Sequence, residues 1–356
     1  QIISETITTS QDIQDIAKKY LKDQPSTNQN VLEGLFLLLI LIIFRSINKW
    51  GLIFGLTSLM TLWFSGKVQG FGLGFFGPNG HDALFHLSLI RHFADSPFSL
   101  SHPQLAGQLI SNYHFGLDYF LGIISRLTTL SPISLYFRVF PVLLICFLVS
   151  GLSRLLKFLN FDSHQTKVAM FLTFFASSLG WIYSLIVNRT LGGESLFWAN
   201  QAISYPLNPP LLASLVLLVW FYYFYLTKKN IFLLIFLGAI IAPIKVYAFI
   251  LLVLALVIER KFKLSLAIFL IGAMLLLPTI TLGQSILQVN PFWFIKSLFE
   301  SPDHLYLPWL AQAIQTYQNS GKLIQLVLIN TIGLFLFLIG NFGIRTLGLF
   351  QRTTKD

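Results

Sequence analysis

The chain has 356 residues, of which 55% are hydrophobic and 11% charged, with a formal net charge of +10. An ordinary soluble domain carries about a quarter charged residues, so a water-soluble fold of this length is excluded and lipid must solvate much of the apolar surface. The positive charge does not point to nucleic acid: Lys and Arg sit in short breaks between apolar runs, where they hold loops on the cytoplasmic side of a membrane.

Residues 1–30 form a polar tail with a modest helical pattern around Ile13, Ile16, Ala17 and Leu21, closed by a linker at Pro25 to Asn30. The chain opens at Gln1 without a signal-peptide pattern and reads as a processed product or as part of a longer chain. Apolar runs follow at 31–45, 50–65, 132–153, 168–187, 205–226, 230–244, 246–259, 264–282 and 323–343. They predict an all-α, polytopic transmembrane bundle of about nine spanning helices, occupying 31–343, with interfacial helices in a large first outer loop. The lone cysteine, Cys146, lies inside an apolar run and reads as a packing residue. No internal repeat is visible.

Segment 230–259 decides the topology of the second half. As one helix it would run about 45 Å, too long for a hydrocarbon core of roughly 30 Å. Pro243 and Lys245 interrupt it, so two short helices turning at Pro243-Ile244-Lys245 are expected; the other topology is one kinked, tilted helix. With the hairpin, Arg45, Lys49, Arg154, Lys157, Lys167, Lys228, Lys229, Arg260, Lys261, Lys263, Arg345, Arg352 and Lys355 fall on one side. These are 13 of the 24 Lys and Arg, concentrated in short loops, and they mark that side, with the basic tail 344–356, as cytoplasmic. The tail 1–30 and the loops 66–131, 188–204 and 283–322 are then extracytoplasmic. The stretch 115–128 lies at the outer face without crossing.

Five of the seven histidines, His81, His86, His92, His102 and His114, crowd into 81–114 together with Asp82, Arg91 and Asp95, and Asp118 follows. Ionisable groups beside hydrocarbon are costly, so such a cluster at the membrane surface suggests function, although solvated loop residues look similar. Gly77-Pro78-Asn79-Gly80 predicts a turn, with a helix from about Ala83. Asp82 is then its N-cap, an aimed carboxylate, or both. Asp82 and His86 share a helix face and form either a base with its partner or two metal ligands, completed by His81 or His114. A divalent metal is the one cofactor the pattern leaves open. In Tyr113-His114-Phe115-Gly116-Leu117-Asp118-Tyr119 the aromatic rings suit headgroup anchoring, while His114 and Asp118, four apart, can line a cleft beside Asp82. Lys245 either snorkels to the outer headgroups or binds a phosphate there. Asn208, among Pro206, Pro209 and Pro210, reads as a helix cap, and Asn188-Arg189-Thr190 matches a glycosylation sequon.

The order of these features resembles the GT-C superfamily of membrane glycosyltransferases, within it the protein-mannosyltransferase and aminoarabinose-transferase-like branch. The resemblance covers roughly residues 50–282. It rests on His81-Asp82-Ala83-Leu84-Phe85-His86, on Tyr113-His114-Phe115-Gly116-Leu117-Asp118 before a helix ending near Ser131-Pro132, and on Gly238…Pro243-Ile244-Lys245-Val246-Tyr247. It implies transfer of a sugar from a polyprenyl-phosphate donor to a hydroxyl of a glycan, lipid or protein acceptor, on the outer face of a bacterial plasma membrane. Asp82 matches the acid that activates the acceptor, and Lys245 a basic residue at the carrier phosphate, with Arg91 or His114 assisting. His81, His86, Asp118 and Glu194 complete the expected substrate-binding set. The chain departs from the pattern in the extra helix before the first outer loop, and in Glu194 and Asn208 where many relatives carry aspartate. The competing functions are a transporter or lipid flippase, and a scaffold in which Asp82 only caps a helix.

Overall fold

The structure, a computed structural model, describes residues 27–45, 47–69, 72–75, 82–190, 196–197, 202–279 and 292–343. Residues 1–26 of the polar tail and the basic tail 344–356 lie outside them, as do His81 and Glu194; residues 27–30, expected as linker, are already helical. The chain divides into two compact units, Gln1–Lys167 with Pro206–Gly283, and Val168–Tyr205 with Gln284–Asp356.

The first unit opens with α1 (Thr27–Ile43), α2 (Lys49–Ser58) and α3 (Met60–Trp63), then a short antiparallel ribbon of β1 (Lys67–Gln69) and β2 (Gly72–Gly74). Next come α4 (Asp82–Asp95), α5 (Gly116–Thr128) and the long α6 (Pro132–Phe158). The unit is completed by α9 (Pro209–Leu226), α10 (Ile231–Ile244), α11 (Val246–Ile258) and α12 (Phe262–Leu276). The second unit holds the latter part of α7 (Ser163–Phe175), then α8 (Gly180–Asn188), α13 (Trp293–Glu300), α14 (Pro308–Asn319) and α15 (Leu323–Phe342).

Helices stand at all nine apolar runs, but not all are long. Among the described residues, Pro132–Phe158, Pro209–Leu226 and Leu323–Phe342 are long and apolar enough to cross a membrane, and α7 with α8 makes a fourth if taken as one broken span. The run at 168–187, expected as a single helix, is bent by 61° at that break. The break survives in apolar surroundings because its amides are engaged: Gly180 N–H donates to Ser178 Oγ at 3.0 Å and Leu179 N–H to Gly340 O at 2.8 Å. The run at 50–65 is likewise interrupted, at Leu59.

Helices α4 and α5 run side by side in the same direction. His86 meets Asp118 and Ala94 O meets Arg126, each pair 32 residues apart. Between them Gly122 permits close approach: a Cβ there would stand 2.6 Å from Phe93 Cβ and 2.9 Å from Ile90 O. Parallel neighbours require the connection to travel back along the helix. Segment 96–115 does so, pinned by Ile110 N–H to Leu100 O and His102 N–H to Gln108 O, both 2.7 Å. Leu89, Phe93 and Ile110 form the core beneath it. The consequence is that both helices present their N-terminal turns at the same end.

Helix α6 starts at Ser131, whose Oγ accepts Ser134 N–H at 3.1 Å, with Pro132 in the first turn where its missing N–H costs nothing. A π-turn over Leu135–Val139 then inserts an extra residue. Arg138, in that turn, and Glu33 of α1 are both buried and 3.8 Å apart. Each is a lone charge within an apolar run, a signal that singles such residues out in a membrane chain.

The hairpin reading of 230–259 is correct, and the register shows it. Gly238 packs on Ile268, and Gly272 on Ala242, so α10 and α12 run parallel. Gly272 also meets the Phe249 ring, and Ser265 Oγ donates to Val253 O at 3.0 Å, so α11 runs against α12. The chain therefore reverses between Ile244 and Val246, with Lys245 alone in extended conformation, φ −157° and ψ 97°. Pro243 in the last turn of α10 and the exit at Lys245 end the helix. Phe221, Ile241, Phe249, Leu252 and Ile268 fill the core of this four-helix group.

In the second unit Phe197, Ile295, Leu298 and Phe299 form the core, and Asn341 Nδ2 holds Phe197 O at 2.7 Å. One face of α15 stays open, with Ile324 83% and Leu323 71% exposed, a stripe suited to lipid.

Candidate functional site

The ends brought together by parallel α4 and α5 and by the hairpin turn form one cluster within the first unit. Asp82 is the first residue of α4 and is exposed. One turn on, His86 is 3% exposed and its Nδ1 lies 2.9 and 3.0 Å from the two carboxylate oxygens of Asp118, which is fully buried in the first turn of α5. The Tyr113 hydroxyl stands 3.3 Å from the other ring nitrogen, Nε2. The rings brace one another: Tyr136 stacks on His86 at 5.4 Å, His114 stacks on Tyr113 at 4.7 Å, and Phe85 meets Tyr113 edge-on at 4.9 Å. The π-turn places Tyr136 in this stack.

Lys245 closes the cluster. It is 6% exposed, so it does not snorkel into solvent. Its Nζ lies 3.5 Å from Asn208 Oδ1 and 5.0 Å from the Tyr247 ring centroid. It interacts electrostatically with both Asp82 and Asp118. Asn208 is, as expected, the cap of α9, its Oδ1 accepting Leu211 N–H at 3.0 Å. Gly116 at the start of α5 packs so closely on Pro243 that a Cβ would stand 2.7 Å from the proline Cβ. Four helix N-termini therefore converge around this ammonium: α4 through Asp82, α5 through Gly116 and Asp118, α9 through Asn208, and α11, which Lys245 itself precedes. Helix N-termini carry partial positive charge and free N–H donors, so their convergence with a lysine favours an anion.

The carboxylate pairing differs from the sequence reading. His86 pairs with Asp118, which is 32 residues away, and not with Asp82 on its own helix. Tertiary packing of α4 on α5 outweighs the four-residue spacing. With Nδ1 facing Asp118 and Nε2 facing Tyr113, both nitrogens of His86 are engaged, so His86 with Asp82 is not a ready metal pair. Among the described residues, no three His, Cys, Asp or Glu side chains converge as a metal site.

Arg91 lies elsewhere. It points away from His86, pairs with Asp95 at 2.8 Å and lines a separate hollow of about 860 Å³ with His92, Gln104 and Arg126. Nine residues along a helix is two and a half turns, which puts Arg91 opposite Asp82. Lys245 does not line that hollow, so Arg91 is not the expected assistant to Lys245. His114 does join the cluster, with its Nε2 buried and without a hydrogen-bond partner among the described residues.

Burial, reinforced by the charge of Lys245, lowers the His114 pKa to about 4, so its ring is neutral at pH 7 and adds no charge for an anion. Burial likewise raises Asp118, opposed by His86 and Lys245. Tyr113 is pushed well above the ordinary phenol value by burial, then by Asp118 and Asp82. The His114 shift has a measurable consequence. Between pH 6.5 and 4 the unfolded chain binds a proton at this residue that the folded chain does not, so stability falls as the pH drops through that window. The Tm of the solubilised protein should therefore fall more steeply from pH 6.5 to 4 in the wild type than in His114→Gln. Equal slopes would show that His114 takes up its proton without strain.

Beside Lys245 an apolar groove of about 500 Å³ runs between α5, α6, α9 and α10. Gly116, Leu117, Pro243 and Ile244 form the end next to the cluster, and Phe147, Trp220 and Phe224 lie farther along α6 and α9. Trp220 is fixed there by its Nε1–H to Phe147 O at 3.1 Å and by Arg154 over its ring at 5.4 Å. Tyr113 and Tyr136, which the sequence reading did not place in the site, are positioned by the loop 96–115 and by the π-turn. No protein-family model matches the chain, and neither does any curated protein or solved structure.

Proposed function

We propose that the protein is a GT-C-like membrane glycosyltransferase that moves a sugar from a polyprenyl-phosphate donor to an acceptor hydroxyl at the extracytoplasmic face of a bacterial plasma membrane. The observation that carries this reading is the buried Lys245 amid four helix N-termini, within electrostatic reach of the exposed Asp82. The neighbouring groove suits the donor's tail: it is lined almost wholly by apolar side chains and includes Pro243 and Ile244, which directly precede Lys245 in the chain.

In this reading Asp82 accepts the proton of the acceptor hydroxyl as its oxygen bonds to the sugar's anomeric carbon. The bond from that carbon to the phosphate oxygen breaks, and its electron pair stays on the phosphate. The charge that develops there falls to Lys245 and the surrounding backbone N–H groups, which are preorganised and dry. The nine apolar runs then alternate in direction in the order predicted from the sequence, with α4 and α5 at the outer face. The arms of the hairpin rise only roughly 20 Å against a hydrocarbon core of roughly 30 Å, so Lys245 sits below the outer boundary, at a depth a lipid-borne phosphate reaches with its tail in the groove.

A second reading has its own support. Helices broken at Lys245 and between α7 and α8 are features of transporters, whose half-helix N-termini face anionic substrates. One assay separates the two. Purified protein in liposomes is given a radiolabelled polyprenyl-phosphate hexose and an envelope extract as acceptor, with and without chelator. The transferase moves label from the carrier to a new product. Label that crosses the bilayer still attached to its carrier would overturn the transferase in favour of the transporter.

A further inference from the structure

The Asp118–His86–Tyr113 chain has no role in that mechanism, yet Asp118 and His86 are buried, Tyr113 is half-buried, and aromatic rings brace them within electrostatic reach of Lys245. Its geometry suits one arrangement of the protons. The two Asp118 oxygens are nearly equidistant from His86 Nδ1, at 2.9 and 3.0 Å, as when one N–H points between the oxygens of a carboxylate. A protonated acid would instead favour one oxygen. In a neutral ring with Nδ1 protonated, Nε2 is an acceptor, and among the described residues its partner is the Tyr113 hydroxyl at 3.3 Å. Tyr113 then donates its hydrogen inward and offers only lone pairs outward.

We propose that Tyr113 is a sugar-recognition residue, held by the Asp118–His86 pair as an obligate hydrogen-bond acceptor that reads one hydroxyl of the donor sugar. This deepens the transferase reading and rests on it for the identity of the ligand. The donor is favoured over the acceptor because its sugar hangs one bond from the phosphate. The Tyr113 ring is stacked on His114, which lies within electrostatic reach of Lys245, so the hydroxyl group is near where that sugar must lie. A hydroxyl turned outward as a donor would also accept analogues that lack a ligand hydrogen. One turned inward discriminates against them, because its lone pairs then go unmet. In this scheme Asp118 and His86 are positioning residues, and Tyr113 alone touches the ligand.

Two measurements on the purified full chain test this. In ¹⁵N-histidine NMR, with the His86 signals identified by their loss in His86→Gln, His86 should be the neutral tautomer carrying its proton on Nδ1. In equilibrium binding, wild type should bind one monodeoxy analogue of a polyprenyl-phosphate hexose about tenfold more weakly than the parent, the scale of one hydrogen bond. Tyr113→Phe should bind parent and analogue alike, and should bind the sugar-free polyprenyl phosphate as wild type does. A proton on Nε2, with or without one on Nδ1, discrimination that persists in Tyr113→Phe, or no discrimination in wild type would each overturn the proposal. If wild type discriminates but transfers no sugar, the recognition role stands and the transferase reading falls.

Discussion

Asp82→Asn should lower sugar transfer by about 10²- to 10⁴-fold, the usual contribution of a positioned general base, with folding and membrane insertion preserved. The amide keeps the size and the helix-start preference of the carboxylate, because asparagine serves as well as aspartate at a helix N-terminus. It cannot take a proton from the acceptor hydroxyl. Asp82 is exposed, so the exchange leaves no buried group unpaired. Because Asp82 and Lys245 interact, removing the negative charge should leave binding of the lipid phosphate unchanged or tighter. The measurements are initial rates with the radiolabelled donor, a binding isotherm for polyprenyl phosphate and thermal unfolding. Transfer at the wild-type rate would remove Asp82 from the mechanism. A parallel loss of thermal stability would assign the lost transfer to misfolding and remove Asp82 as the base.

Lys245→Met should act on the other half of the reaction. The unbranched thioether fills the volume of the lysine stem but supplies no charge. Catalytic turnover should fall about 10²-fold, as when one preorganised donor to a developing oxyanion is lost, and the donor's KM should rise while the acceptor's KM stays close to wild type. Equal weakening toward donor and acceptor would make Lys245 a structural cation, balancing Asp118 within the protein. Asp118 and Asp82 both lose their compensating charge in this variant. Its folding should therefore be checked alongside its kinetics, and a variant that folds with an unchanged donor KM sinks the phosphate-binding role.

Much of the architecture was legible because lipid imposes a coarse code. Runs of apolar residues became helices at all nine expected places, since in hydrocarbon every backbone group must bond within its own segment. The hairpin at Lys245 was readable for the same reason: a helix through 230–259 would overshoot the bilayer, and Pro243 supplies the exit. The break between α7 and α8 was not readable. It depends on Ser178 and on Gly340, more than 160 residues away, to satisfy its amides. The lone charges Glu33 and Arg138 were visible within apolar runs. That they pair follows only from α1 lying against α6.

Within the candidate site the sequence by itself determined which helix ends several of the residues occupy, because turn residues, caps and proline act over a few positions. It placed Asp82 at the start of α4, Asn208 at the cap of α9 and Lys245 at a reversal. It could not choose partners. His86 is four residues from Asp82, yet it bonds to Asp118, and Arg91 is turned to the opposite side of the same helix. Those outcomes were decided by the parallel packing of α4 on α5 through Gly122 and by the close contact of Gly116 with Pro243. Glycine at each position lets two backbones approach within side-chain reach. Such fits depend on the shapes of both surfaces, and residue spacing along one chain carries no record of them.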